Sequence, residues 1–193
     1  MTLETANHED TDAGARRVHA PGDLPAVIAL AVVGVVAVGA SPLVAGPLAL
    51  AVVTPALIRI DVAERRLPNR LVLPCYPVAL AGIAVDGILT ATPPVTALVS
   101  CGAWLLFFLV MNLAGGMGMG DVKLAGVLGL CLGSIGVAVS LGGIVLAFLL
   151  GGVGAVSVLL RRVGGRRGRI PFGPFLLAGF WIAVALTPVL VTP

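Results

Sequence analysis

Seven stretches of this chain, about residues 24–40, 43–60, 71–89, 95–113, 122–138, 140–160 and 171–191, are almost free of charge. Each approaches the ~20 mostly apolar residues that carry a helix across a bilayer. In hydrocarbon such a run satisfies its backbone only as a helix or a closed barrel. The 193 residues are 59% hydrophobic and 11% charged, whereas a soluble domain is roughly a quarter charged. The expected fold class is therefore all-α: a polytopic transmembrane helix bundle of about six or seven spans. The count turns on 122–160, where the break at Ser140-Leu141-Gly142-Gly143 suits either a helical hairpin or a re-entrant turn.

Charge sets the orientation. Cytoplasmic loops collect Lys and Arg. With the N-terminus inside, the inner segments hold Arg16 and Arg17, then Arg59, Arg65, Arg66 and Arg70, then Lys123, then Arg161, Arg162, Arg166, Arg167 and Arg169, which are all 12 basic residues of the chain. The outer loops keep only Asp86. The chain is thus expected in the cytoplasmic membrane as a multi-pass protein, its N-terminus inside. The net charge of +3 is explained by topology and contact with anionic lipid headgroups, so membrane lipids are expected partners and nucleic acid is not.

Residues 1–23 are polar and without periodicity and read as a disordered cytoplasmic tail; His8 and His19 lie there at no ligand spacing. Residues 24–193 form one membrane-embedded domain. Cys75, Cys101 and Cys131 all fall in apolar runs with no C-x-x-C pair, so they read as small hydrophobes. No metal and no cofactor is called for. Small residues recur four apart at Gly129 and Gly133, and at Gly143, Ala147, Gly151 and Ala155. That spacing lets helices approach closely in lipid, and packing within the chain is the expected use. Oligomeric state is not legible.

Two carboxylates stand at the ends of apolar runs, Asp61 closing the second and Asp121 opening the fifth. An ionisable group there is costly and is a functional candidate by default. Two crossings separate them, which returns both to the cytoplasmic side. Gly115, Gly116, Gly118 and Gly120 precede Asp121 and allow close backbone approach. Pro68 bars a helix from running on past Asp61. Against a site, Asp121 suits a helix N-cap. Asp61 opposes the dipole at a helix C-terminus, so a structural role would need Arg59, Arg65 or Arg66 as its partner.

At these residues the chain resembles the type IV prepilin leader peptidases, membrane aspartic proteases of the G-x-G-D type. The motif around their second aspartate, G-x-G-D-x-K-L, is matched by Gly118, Gly120, Asp121, Lys123 and Leu124. The first-aspartate motif is matched by Asp61, Pro68, Asn69, Leu71, Leu73 and Pro74, and a third segment by Ile170-Pro171-Phe172-Gly173-Pro174-Phe175. The resemblance covers about residues 45–185. It departs from many bacterial members at the paired C-x-x-C region that accompanies N-methyltransferase activity, so the short, peptidase-only form is implied and S-adenosylmethionine is not.

The resemblance implies an aspartic endopeptidase that removes the short leader of a prepilin or pilin-like precursor at the cytoplasmic face. Asp61 and Asp121 would be catalytic, and which of them starts as the base stays open. Gly118, Gly120, Lys123, Pro68, Asn69, Pro171, Phe172, Gly173 and Pro174 would shape the site or bind substrate. Lys123 fits equally a headgroup anchor or a site residue, and 171–174 a simple entry to the last span. The competing reading is a proton-coupled transporter using the same aspartates. It calls for carboxylates near the bilayer midplane and repeated halves, which the sequence lacks.

Overall fold

The computed structural model describes residues 22–160 and 171–190. The expectations for the tail up to residue 21, with His8 and His19, and for the arginine loop 161–169 lie outside the described residues.

Every apolar run becomes a helix. Helix α1 is Leu24–Val38, and a 3-10 turn Pro42–Val44 leads into α2, Ala45–Glu64. A short α3, Asn69–Val72, runs almost directly into α4, Cys75–Thr90. Then come α5 (Val95–Leu113), α6 (Met119–Ile135), α7 (Val137–Leu160), α8 (Gly173–Ala185) and the terminal turn α9 (Thr187–Leu190). No strand occurs among the described residues. Among the described residues four helical stretches are long and apolar enough to cross a membrane: Pro42–Glu64, Asn69–Thr90, Val95–Leu113 and Val137–Ser157.

The core sits around α6. Val122 and every residue from Leu124 to Gly133 are buried, so this helix has neighbours on all sides. Its glycines explain how. A Cβ at Gly129 would lie 2.6 Å from Trp104 Cγ and 2.9 Å from the Ser100 carbonyl oxygen, and one at Gly133 would run into Ser100 and the Thr96 carbonyl. The i, i+4 glycines are thus the face on which α5 lies. The second small-residue series does the same for α7 and α8, where a Cβ on Gly179 would come 2.6 Å from the Ala147 amide.

One boundary differs from expectation. The break between the fifth and sixth runs falls at Gly136, in extended conformation, and Ser140 to Gly143 lie inside α7. Gly143 is buried with the Leu132 side chain against it, which makes α6 and α7 a helical hairpin. Gly143 thus serves packing, and the turn itself is made by the extended Gly136.

Buried polar groups are tied across helices. Trp181 Nε1 donates to Thr54 Oγ1 at 3.1 Å, joining α8 to α2, and Trp104 Nε1 donates to Ser140 Oγ at 3.0 Å, joining α5 to α7. The outside is apolar: Val36, Ile88, Leu106 and Val153 are each at least 64% exposed. So large an exposed apolar surface is a liability in water and ordinary against lipid tails.

Candidate active site

The first aspartate is carried by the last turn of α2. That helix stops because Arg65 adopts the left-handed conformation (φ 53°), its N–H returning to the Asp61 carbonyl at 2.8 Å. Pro68, extended at ψ 127°, then caps α3. Between them the loop turns inward and buries Leu67, leaving Arg65 and Arg66 outside. Asp61 itself is only 4% exposed. The ion pairs formed by its neighbours go elsewhere: Arg59 Nη2 meets Asp23 Oδ2, and Arg66 Nε meets Glu64 Oε2, each at 2.6 Å.

What Asp61 receives is a backbone amide. The Gly173 N–H donates to Asp61 Oδ2 at 3.0 Å across 112 residues of sequence. Only glycine permits this approach, since a Cβ there would lie 2.7 Å from the same carboxylate oxygen and 3.4 Å from Leu67 Cδ2. The flanking residues place that amide. Phe172 is the N-cap of α8 and Pro174 lies in its first turn, with Pro171 just before. The Phe172 ring packs against those of Phe148 (5.4 Å between centroids), Phe108 and Phe175 (6.3 Å each). This segment is more than an entry to the last span: it brings a donor to Asp61.

The second aspartate follows a glycine loop. Gly115 takes φ +79°, where a side chain would be strained, and the Asn112 side-chain amide donates to the Met117 carbonyl at 2.7 Å. Asp121 then lies in the first turn of α6, ahead of the apolar run 122–138. Gly118, not Asp121, is the N-cap; Asp121 stands three residues in, and its Oδ2 reaches back to accept the Gly118 N–H at 3.3 Å. Its Oδ1 is buried and has no hydrogen-bond partner among the described residues. An orphaned buried acceptor is rare enough in folded proteins to call for an explanation.

Leu67 joins the two halves. A Cβ on Gly120 would lie 2.9 Å from Leu67 Cβ, while Gly173 meets the same side chain from α8. The charge of Asp61 is felt at Asp121: the Asp121 carboxyl is pushed up to about 6, first by burial and then by the negative charge of Asp61, with the Gly118 amide opposing. Lys123 also bridges the motifs, its Nζ donating to Asn69 Oδ1 at 3.1 Å. Asp61, Asp121, Gly118, Gly120, Lys123, Asn69 and the 171–174 segment thus meet at one end of the bundle. Sequence reasoning missed Leu67 and Asn112. Leu67 carries a faint signal, as the one apolar residue between Arg66 and Pro68; Asn112 stands out only as an amide at the end of an apolar run. Among the described residues no group of three or more His, Cys, Asp or Glu is placed to hold a metal ion.

With this geometry in place, likeness to known proteins becomes informative. The model of the type IV leader peptidase family matches residues 48–156. A prepilin leader peptidase/N-methyltransferase of Xanthomonas campestris pv. campestris is 31% identical over 142 residues, 71% of this chain and 48% of that protein. The Aeromonas hydrophila protein of the same name is 32% identical over 165 residues, 83% of this chain and 55% of its own length. That of Aeromonas salmonicida is 32% identical over 136 residues, 67% and 45%. The chain spans about half the length of the curated relatives it matches. No solved structure matches it.

Proposed function

Since this chain belongs to the type IV leader peptidase family, we propose that it is a membrane aspartic endopeptidase that removes the leader of a prepilin or pilin-like precursor, with Asp61 and Asp121 activating one water. The observation that carries this reading is that two carboxylates, 60 residues apart in sequence, come to one end of a lipid-facing bundle, where Gly120, beside Asp121, and Gly173, bound to Asp61, both meet Leu67. Two such groups do not ionise together easily, so they hold one proton between them and titrate as a pair. The ionised partner takes a proton from water as the water oxygen bonds to the scissile carbonyl carbon. The protonated partner gives its proton to the carbonyl oxygen. Collapse then breaks the C–N bond: the amine departs with the proton taken from water, and one hydroxyl of the intermediate returns its proton to the other carboxylate, which leaves the carboxylic acid and the singly protonated pair.

The surroundings support these roles. The Gly173 amide gives Asp61 a hydrogen bond without neutralising it, and Asp121 Oδ1 meets no competing donor among the described residues. We place the site at the cytoplasmic face, following the distribution of arginine and lysine. There the amide beside a precursor's hydrophobic helix reaches the carboxylates without leaving the interface.

Coexpression with a candidate pilin precursor tests the substrate class. The precursor is expected to lose its leader, read as a shift on a gel, when the wild-type chain is present in the membrane. Retention of the leader by every precursor offered, with the chain accumulating normally, would contradict the proposal.

A further inference from the structure

Near the site, one polar side chain that belongs to no motif reaches into the helix carrying Asp121. Tyr76 lies in the first turn of α4 and its phenol donates to the Lys123 carbonyl at 2.7 Å. In an α-helix that carbonyl also accepts from the N–H four residues on, so the phenol is a second donor on a rung of the helix. A side chain bound at such a rung re-aims the turn beside it. The cradle is built for it: a Cβ at Gly126 would collide with the Tyr76 hydroxyl, and with Leu105 Cδ2 at 2.6 Å.

The other end of Lys123 is held by the same stretch of chain. Its ammonium is bound by Asn69, at the start of α3, as its carbonyl is bound by Tyr76. Leu67, just ahead, packs on Gly120. Three successive points of the segment after Asp61 therefore press on residues 120, 123 and 126, which flank Asp121. Nothing in the peptidase chemistry requires Tyr76 to touch substrate. Its position does decide where the first turn of α6 lies relative to the end of α2.

We infer that Asn69 and Tyr76 form a two-point brace on Lys123, and that Tyr76 is a positioning residue that sets Asp121 against Asp61. This rests on the peptidase reading above. A lost brace misplaces one carboxylate without altering substrate contacts, so the effect belongs to turnover. Misplacement by ~1 Å is worth up to about 100-fold. For Tyr76→Phe the expected result is a fall in kcat of about tenfold with KM held within about twofold.

The test uses the purified full chain in detergent with a precursor peptide, and adds hydrogen exchange across residues 118–127. Tyr76→Phe is expected to lower kcat alone and to speed exchange in that turn. Gly126→Ala, whose Cβ meets both the Tyr76 hydroxyl and Leu105, should reproduce both effects. Should Tyr76→Phe fail to accumulate, Asn69→Leu and Gly126→Ala carry the same two readouts. Kinetic constants and exchange equal to wild type, or a change confined to KM, would overturn the brace. If the wild-type chain cleaves no precursor, the functional proposal fails, and the exchange comparison still decides whether Tyr76 holds the turn.

Discussion

Asp61 and Asp121 are held by different means although both lie beside Leu67. Asp61 is almost wholly buried and takes a backbone amide from a distant helix; Asp121 reaches back to the Gly118 N–H with one oxygen and leaves the other without a partner among the described residues. The residue that separates these environments is Gly173. It has to be glycine because the amide reaches the carboxylate only where no Cβ intervenes. Gly173→Ala should therefore accumulate in membranes yet cleave at least about tenfold more slowly, since the added methyl displaces Asp61 by a fraction of an ångström or more. Rates from membranes carrying equal amounts of each protein decide it; unimpaired cleavage by the alanine variant would show that the amide contact is incidental. Both aspartates, Lys123 and the 170–175 motif are legible in the sequence as residues. Their contacts are not, because a hydrogen bond spanning 112 positions leaves no local trace. The same holds for Tyr76 and Asn112, which lie in apolar runs and look like ordinary span residues.

At the scale of elements, hydropathy predicts the helices well because lipid demands that each apolar run close its own hydrogen bonds. All seven runs became helices, with ends shifted by a few residues. The error at 140–143 is instructive. Glycine in a membrane helix serves helix contact as readily as it serves a turn, so a Gly pair alone does not mark a break, whereas Gly136 takes an extended conformation that ends α6. The Gly129–Gly133 face is the seam on which α5 and α6 meet, and Ser100, Trp104 and the Thr96 carbonyl fill it. Replacing Gly129 by Leu forces several atoms into a space with none to spare and should cost about 1–3 kcal/mol by overpacking, or more. The variant should show sharply reduced membrane accumulation and a lower thermal midpoint in detergent. A midpoint equal to wild type would mean that the two helices do not meet there.

Across the whole molecule, the fold acts as a device for convergence. A bundle with an apolar exterior brings the end of α2, the start of α6 and the start of α8 to one place, with Leu67 wedged among them. The central claim is that the two carboxylates work as one unit on a single water. Cleavage rates of Asp61→Asn, Asp121→Asn and the double variant, purified and assayed against one precursor, test it most directly. Each single variant should lose about 10²–10⁴-fold or more, and the double variant should be no slower than the worse of the two, as groups of one catalytic unit are non-additive. Full cleavage by either single variant, or losses that multiply in the double variant, would contradict the account.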